Sequence, residues 1–395
     1  MSVAAAPSEA AVLRPGKDKA VRNRHPWIFS GAIRSLPAGF ENGAILPVRA
    51  ADGTLLGHGY FNTATSIAGR MLNFDATPPL ESLAASLDAA LALRRLFFGP
   101  ETTAYRLVNG EGDGLPGLVA DLYGDVLVLQ VSTRGMERLK PFVLEKLAER
   151  IGPRAVFEKS NVPARKEEGL PMFEGPLRGA PPEPIEVLEN GLRFRVDVVH
   201  GQKTGFYLDQ REMRAFARSL ARGRRVLNAF AYTGGFTVAA YAGGAAAVET
   251  VDASERAVAA ARENAALNGF ADRPGRYVAA DVFEFLRQQA PDYDLVVLDP
   301  PAFAKKKSEI VPACRGYKDI HRLVFQGVPP RSFVMTFSCS FFVDETLFRQ
   351  VIFQAAREAG RDVRVLQRHR QAFDHPVNIY HPESEYLKGF LLHVD

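Results

Sequence analysis

In the second half of the chain three acids each close a strand-like run: Asp252 after 247–251, Asp281 after 277–280, and Asp299 after the apolar Leu295-Val296-Val297-Leu298. Four apolar residues without polar alternation read as a short strand buried on both faces of a parallel sheet. Pro300 and Pro301 follow Asp299. Proline lacks the N–H that a central strand needs, so the chain must leave the sheet at the acid. In open α/β sheets, ligands bind at that edge, beyond the carboxyl ends of the strands. One strand ending in Asp-Pro is as compatible with a plain turn as with a site. Three such acids on one edge point to a site.

The turn after an earlier strand narrows the ligand. Residues 225–230 read as a strand, and Tyr232-Thr233-Gly234-Gly235-Phe236 as a tight turn opening a helix. Glycine there allows close approach of backbone to a ligand. Asp252 lies about twenty residues on, where a carboxylate can hold ribose hydroxyls. These features suit a dinucleotide or S-adenosylmethionine. The turn lacks the Gly-x-Gly-x-x-Gly spacing that wraps a pyrophosphate, which favours S-adenosylmethionine and leaves a nicotinamide dehydrogenase a distant reading. Asp281 is then placed to accept from the adenine amino group.

These residues must be positioned by strand–helix alternation. Strands are expected at 225–230, 247–252, 277–281, 295–298 and 332–339, with helices to 241, from 254 to 268, over 282–289 and over 344–360. That order implies βαβ units and a parallel sheet. Ahead of it, 185–189 and 192–196 flank Asn190-Gly191, a type I′ hairpin signal, and a helix is expected from about 211 to 221. Pro181-Pro182-Glu183-Pro184 reads as a stiff linker. Residues 80–183 form an earlier unit, with a helix over 80–98, a Gly-rich connection over 106–118, a hairpin over 118–131 turning at Gly124-Asp125, a helix over 136–150 and a strand near 155–158. The Gly-rich run lacks the Gly-Lys-Ser/Thr ending of a phosphate loop. Before it, strands at 45–49, 55–61 and 67–74, the first two joined at Asp52-Gly53, make a small β-rich unit. Arg14, Lys17, Lys19, Arg22 and Arg24 precede His25-Pro26-Trp27-Ile28-Phe29. Such a mixture can grip phosphates and stack bases, but a solvated basic edge with Trp27 in the core is the reading favoured here. Residues 1 to about 10 read as a frayed tail.

The chain has 395 residues, 47% hydrophobic and 24% charged, which fits a globular protein of two or three domains. No apolar run is long enough to cross a bilayer, so no membrane partner is expected. The first residues lack the features of a signal peptide. A net charge of +4 permits a polyanionic partner without specifying one. Two cysteines, Cys314 and Cys339, argue for a reducing cytoplasm and against a disulfide framework or a cysteine-cluster zinc site, and no metal is expected. Cys314 lies in a polar run, Pro312-Ala313-Cys314-Arg315-Gly316, read as a loop.

The chain resembles the RlmI-type ribosomal RNA cytosine-C5 methyltransferases, within the class I S-adenosylmethionine-dependent fold. The matching stretches are GQKTGFYLDQR at 201–211, FAYTGGF at 230–236, VDAS at 251–254, LDPPAF at 298–303, TFSCS at 336–340 and DHPVNIYHPESEYLKGF at 374–390. HPWIFSGAI at 25–33 and GYFN at 59–62 are similar to the family's PUA β-barrel, and NGEGDGLPGL at 109–118 to its small α+β domain. The resemblance implies an α/β protein whose Rossmann-like domain (184–395) follows a PUA-like RNA-binding barrel (11–78) and a small α+β domain (79–183). It departs from the family at Asn228, where an acid is usual, and at 326–331, where a Gly-rich turn is usual.

The resemblance also implies a chemistry. Cytosine C5 is a poor nucleophile, and a thiolate adding at C6 turns the ring into an enamine. Cys339 would be that thiol, and Asp299 would hydrogen-bond at N3 and the exocyclic amine. Phe303 would stack on the base, and Lys305, Lys306 and Lys307 would meet phosphates. Lys203, Thr204, Phe206, Asn228, Tyr232, Gly234, Asp252, Asp281 and Asp299 would line the cofactor site. The implied partner is RNA, ribosomal RNA or a subunit precursor. A homodimer is allowed, although the sequence does not specify the oligomeric state. The alternatives are a guanine-N RNA methyltransferase, which needs no thiol, and a non-catalytic RNA-binding assembly factor.

Overall fold

The computed structural model describes residues 9–181, 183–289 and 291–395. The expected frayed tail therefore lies almost wholly outside the described residues, as does Pro182 of the expected linker. The chain forms two compact units. One takes the residues up to Ile185 with Val196–Phe206 and Phe373–Ser384; the other takes Glu186–Arg195, Tyr207–Ala372 and Glu385–Asp395.

The first unit holds two sheets. The six-stranded one runs, in spatial order, Trp27–Phe29, Ile67–Asn73, Leu55–Phe61, Ile45–Arg49, Ala11–Leu13 and Ile33–Ser35. Its turn at Asp52-Gly53 is closed by the Asp52 carboxylate, which accepts from the Thr54 N–H at 2.9 Å. Trp27 is only half-buried, not in the core as expected, because its indole N–H reaches outward to Glu111 Oε1 at 2.9 Å. The five-stranded sheet runs Phe173–Arg178, Ala155–Ser160, Val126–Val131, Leu118–Tyr123 and Ala104–Asn109. Helices Pro79–Phe97 and Arg134–Ile151 bury Leu83, Leu87, Met136, Val143 and Leu147 with it in one apolar core. The Gly-rich connection expected from residue 106 is instead a strand to Asn109 and a 3-10 turn, Gly110–Asp113. Buried Arg94 fixes that turn through two bonds to Asp113, at 2.6 and 2.8 Å.

The second unit is one seven-stranded sheet between helices. Its strands are β1 (Arg225–Ala229), β2 (Ala247–Asp252), β3 (Gly275–Ala279), β4 (Leu295–Leu298), β5 (Ser332–Ser338), β6 (Val363–His369) and β7 (Lys388–Val394). The order is β3-β2-β1-β4-β5-β7-β6. β1 to β5 are parallel, and β7 runs antiparallel to both β5 and β6. Besides the expected helix at Arg211–Leu220, the helices are α1 (Gly235–Ala242), α2 (Glu255–Leu267), α3 (Val282–Gln288), α4 (Ile310–Gly327) and α5 (Glu345–Ala359). Strand order reverses between β1 and β4, so a crevice for a ligand opens at the carboxyl ends of these two strands.

Two corrections bear on the site. Cys314 stands not in a loop but on α4. Pro312 is in the first turn of that helix, where its missing N–H costs no intrahelical bond. Ala313, Tyr317, Ile320 and Val324 then bury one face at helical spacing. Asp281 does not end β3, which stops at Ala279. It caps α3 instead, accepting from the N–H groups of Phe283 and Glu284 at 2.9 and 3.0 Å.

Candidate active site

The turn from β1 to α1 winds through three left-handed residues: Phe230 at φ 61°, Tyr232 at φ 46° and Gly234 at φ 78°. Two of them carry side chains, and strain of that kind collects at ligand sites. It is held from three sides. The Tyr232 N–H donates to Asp252 Oδ2 at 2.8 Å, and the other Asp252 oxygen accepts from Ser254 N–H at 2.9 Å. Asn264, buried on α2, donates to the Thr233 carbonyl at 2.9 Å. Gly234 is required by packing: a Cβ there would stand 2.6 Å from the Ala261 Cβ of α2.

Asn228 lies one residue before the end of β1, fully buried. Its Nδ2 donates to Thr237 Oγ1 at 2.9 Å, while its Oδ1 is buried with no hydrogen-bond partner among the described residues. An acceptor left open beneath a strained turn fits an incoming cationic amine such as that of the methionine part of S-adenosylmethionine. Asp252 at the end of β2 is half-buried, in the position of a ribose-binding acid. Asp281 keeps one carboxylate oxygen beyond those used for its capping bonds.

Lys203, Thr204 and Phe206 belong to the first unit, and the bonds made there by the last two are structural. Thr204 Oγ1 donates to Asp121 Oδ2 at 2.6 Å and pairs with the Tyr123 hydroxyl at 2.9 Å, which also accepts from the Phe206 N–H at 3.2 Å. Lys203 is exposed, with a left-handed backbone at φ 54°.

Asp299 and Cys339 leave neighbouring strands. Leu298 pairs with Thr336, so the acid is one residue and the thiol three residues beyond a shared rung. Asp299 Oδ1 accepts from Gln210 Nε2 at 3.1 Å. Burial, then the nearby Asp209 carboxylate, push its pKa up to about 7, against the pull of Arg214 and the Gln210 bond. The Tyr207 phenol is held far above its usual range, first by burial and then by the charges of Asp299 and Cys339, so one side chain feels both groups. Asp209 Oδ1 and Gln210 Oε1 are buried acceptors with no hydrogen-bond partner among the described residues. Cys339 is half-buried and flanked by buried Ser338 and Ser340. Lys388, at the start of β7, donates to the Ser340 carbonyl at 2.7 Å; burial lowers its pKa and Cys339 works against that shift.

Tyr207, Asp209 and Gln210 were not singled out from the sequence, although they lie inside the 201–211 motif. Phe303 is engaged by Tyr317, Phe283 and Phe230, with ring centroids 4.6, 6.0 and 6.5 Å away. Phe341, two residues past the thiol, is 66% exposed, and is the aromatic ring more open to a base. Lys305, Lys306 and Lys307 are all exposed. Cys314 is half-buried on the face of α4 that meets the core, and burial raises its thiol pKa.

In the first unit His25, His381 and Glu383 bring one ligand-type atom each within 4.8 Å of one another. His25 Nδ1 accepts from the Trp27 N–H at 3.1 Å, which leaves the proton on Nε2, 3.5 Å from Glu383.

Family models match over two spans: an S-adenosylmethionine-dependent methyltransferase over residues 173–364 and a PUA-like domain over 11–74. Among curated relatives, the ribosomal RNA large subunit methyltransferase I of Shewanella denitrificans is 42% identical over 390 residues, 97% of this chain and 98% of that protein. Its namesake in Escherichia coli is 39% identical over 397 residues, with the same coverage. A solved S-adenosylmethionine-dependent methyltransferase from Streptococcus mutans shares the fold at a TM-score of 0.82 and 22% identity, over 98% of this chain and 100% of that one. A methyltransferase solved with SAH bound gives 0.83 and 23%, with the same coverage. This chain is thus an S-adenosylmethionine-dependent enzyme and belongs to the ribosomal RNA large subunit methyltransferase I family.

Proposed function

We propose that the enzyme methylates C5 of a cytosine in large-subunit ribosomal RNA through a Cys339 adduct at C6. The observation that carries the reading is the departure of Asp299 and Cys339 from adjacent strands, one and three residues past the same rung, beside a tyrosine that feels both. S-adenosylmethionine supplies the methyl group as an electrophile.

The chain's residues handle the ring and its protons. The Cys339 thiol gives its proton to water, with Lys388 nearby as countercharge, and the sulfur bonds to C6. Asp299, poised to hold a proton near neutral pH, gives it to N3 as electron density moves onto C5. Once C5 carries the methyl group, its original proton passes to water. The C6–S bond then breaks, and N3 returns its proton to Asp299. Gln210 Oε1 and Asp209 Oδ1 are acceptors of the type that the exocyclic amine of cytosine satisfies. Access to the ring requires a flipped or single-stranded base.

We also propose the three-domain division at 11–78, 79–183 and 184–395, supported at its start by the PUA-like match, and a cytoplasmic location. Among the described residues, no helix is long and apolar enough to cross a membrane.

The test is methyl transfer to ribosomal RNA from cells lacking the enzyme, with the product mapped by mass spectrometry. Cys339→Ala is expected to abolish 5-methylcytosine formation while leaving cofactor binding intact. Full activity in that variant would favour methylation of a guanine nitrogen instead. No S-adenosylmethionine binding by the parent protein would favour a scaffold.

A further inference from the structure

Tyr317, on α4, is fully buried, and its hydroxyl sits between the two serines that flank Cys339. Ser338 Oγ donates to the Tyr317 oxygen at 3.0 Å, and that oxygen lies 3.1 Å from Ser340 Oγ. Ser340 Oγ also accepts from the Ala304 N–H at 3.2 Å. One direction satisfies the chain: Ser338 donates to Tyr317, Tyr317 donates to Ser340, and Ala304 donates to Ser340. A third bond closes the loop on itself, with Ser340 N–H on Ser338 Oγ at 3.4 Å. The Ser340 carbonyl is held in turn by Lys388.

Ala304 belongs to the Asp-Pro-Pro loop that begins at Asp299, so the Tyr317–Ser340–Ala304 bonds tie the acid-bearing loop to the thiol-bearing one. The Tyr317 ring is wedged by Phe303 at 4.6 Å and Phe348 at 5.1 Å, and its backbone carbonyl accepts from His321 Nδ1 at 2.6 Å. Both ends of the residue are therefore fixed.

We propose that Tyr317 is a positioning residue: through Ser338 and Ser340 its hydroxyl sets where the Cys339 sulfur stands relative to Asp299. This rests on the cysteine-adduct reading above. A displaced nucleophile costs rate steeply even when binding is untouched, because attack needs a narrow range of approach. A group acting through a network also shows non-additive losses.

The experiment uses the full-length enzyme with RNA carrying 5-fluorocytidine at the target. Fluorine cannot leave C5 as a proton does, so the C6–S bond persists after methyl transfer and the adduct can be counted on a denaturing gel. Tyr317→Phe keeps the ring and its packing and removes only the hydroxyl. Its adduct formation, and its kcat on unmodified RNA, are expected to fall about 10- to 100-fold, with KM for unmodified RNA and Kd for S-adenosylmethionine within about twofold of the parent. Ser340→Ala is expected to lose a similar factor, and Tyr317→Phe with Ser340→Ala to lose no more than the worse single variant. Adduct formation by Tyr317→Phe at the parental rate overturns this inference alone. Equal losses in kcat and cofactor affinity, or multiplicative losses in the double variant, overturn it in favour of a general structural role. A parent enzyme that forms no adduct overturns the cysteine reading and this inference with it.

Discussion

The backbone N–H of Tyr232 donates to the Asp252 carboxylate at 2.8 Å, across the gap between β1 and β2. Through this bond, the acid expected to hold a ribose also holds the left-handed turn. Removing it should therefore do more than delete a ligand contact. Asp252→Ala is expected to weaken S-adenosylmethionine binding about 100-fold, from the loss of charge-assisted bonds worth about 1.5–3 kcal/mol. Asp252→Asn keeps an acceptor for Tyr232 and should fall between the two. Titration calorimetry measures both, and equal affinity in Asp252→Ala and the parent would remove Asp252 from the site.

Asp299 should trade stability for function. Its folded pKa, about 7, lies above the ordinary carboxyl value of 3.8. A folded state that holds its proton more tightly than the unfolded chain is favoured below pH 3.8, and that advantage is lost as pH rises through 7. Above neutrality the ionised acid sits beside Asp209 at a cost. Asp299→Asn is expected to raise the melting temperature at pH 8 and leave it near the parental value at pH 4. The same change should lower kcat by about 10² or more, because an amide cannot deliver a proton to N3. In the parent, kcat/KM should decline on the alkaline side from about pH 7. A variant less stable than the parent at pH 8 would contradict the assignment.

Much of the second unit was legible because its strands are short apolar runs with abrupt ends. The bounds expected at 247–252 and 295–298 are those of β2 and β4, and the hairpin at Asn190-Gly191 has the positive φ angles of its turn, 50° and 77°. What was missed has physical reasons. α4 was hidden by Pro312 and Gly316, which read as breakers although one sits in the first helical turn and the other packs on Phe303. β6 was hidden because five of its seven residues are exposed, so no apolar run marked it. The strand Ala104–Asn109 was hidden by Arg106, whose charge is neutralised by Asp121 deep in the sheet. Of the candidate site, Asp252 and Asp299 came from local pattern, and the role of Cys339 from the family resemblance. The partners that tune them, Gln210 and Tyr207, came only from the fold, because they approach from about ninety residues or more away in sequence.

Gly234 should be hard to replace. Alanine there meets a left-handed backbone, which costs about 1 kcal/mol, and a Cβ contact of 2.6 Å with Ala261, for which overpacking costs of about 1–3 kcal/mol are typical. Gly234→Ala is expected to lose about 2–4 kcal/mol in urea unfolding. Adding Ala261→Gly should recover part of the clash but none of the backbone strain, giving a favourable coupling in a double-mutant cycle. Strictly additive losses would show that packing on α2 is not what the glycine provides.

His321 makes the fold sensitive to acid on the side opposite to Asp299. It is fully buried, its Nδ1–H donates to the Tyr317 carbonyl at 2.6 Å, and its Nε2 accepts from Thr336 Oγ1 at 2.8 Å. Burial lowers its pKa from 6.5 to about 4. Between those values the unfolded chain binds a proton that the folded one refuses, so stability falls as pH drops from 6.5 toward 4. The shift corresponds to a loss on the order of 3 kcal/mol. His321→Gln keeps a donor and an acceptor but cannot titrate, so it should be less stable than the parent at pH 7.5 and lose part of that deficit by pH 4.5. Urea unfolding at the two pH values measures the difference, in which the carboxylates common to both proteins cancel. A parent-minus-variant difference that does not change with pH would mean that the buried imidazole is not the acid-sensitive group. The proton that acid adds goes to Nε2, so the bond it breaks is the one from Thr336 on β5, while the Nδ1–H bond to the Tyr317 carbonyl persists.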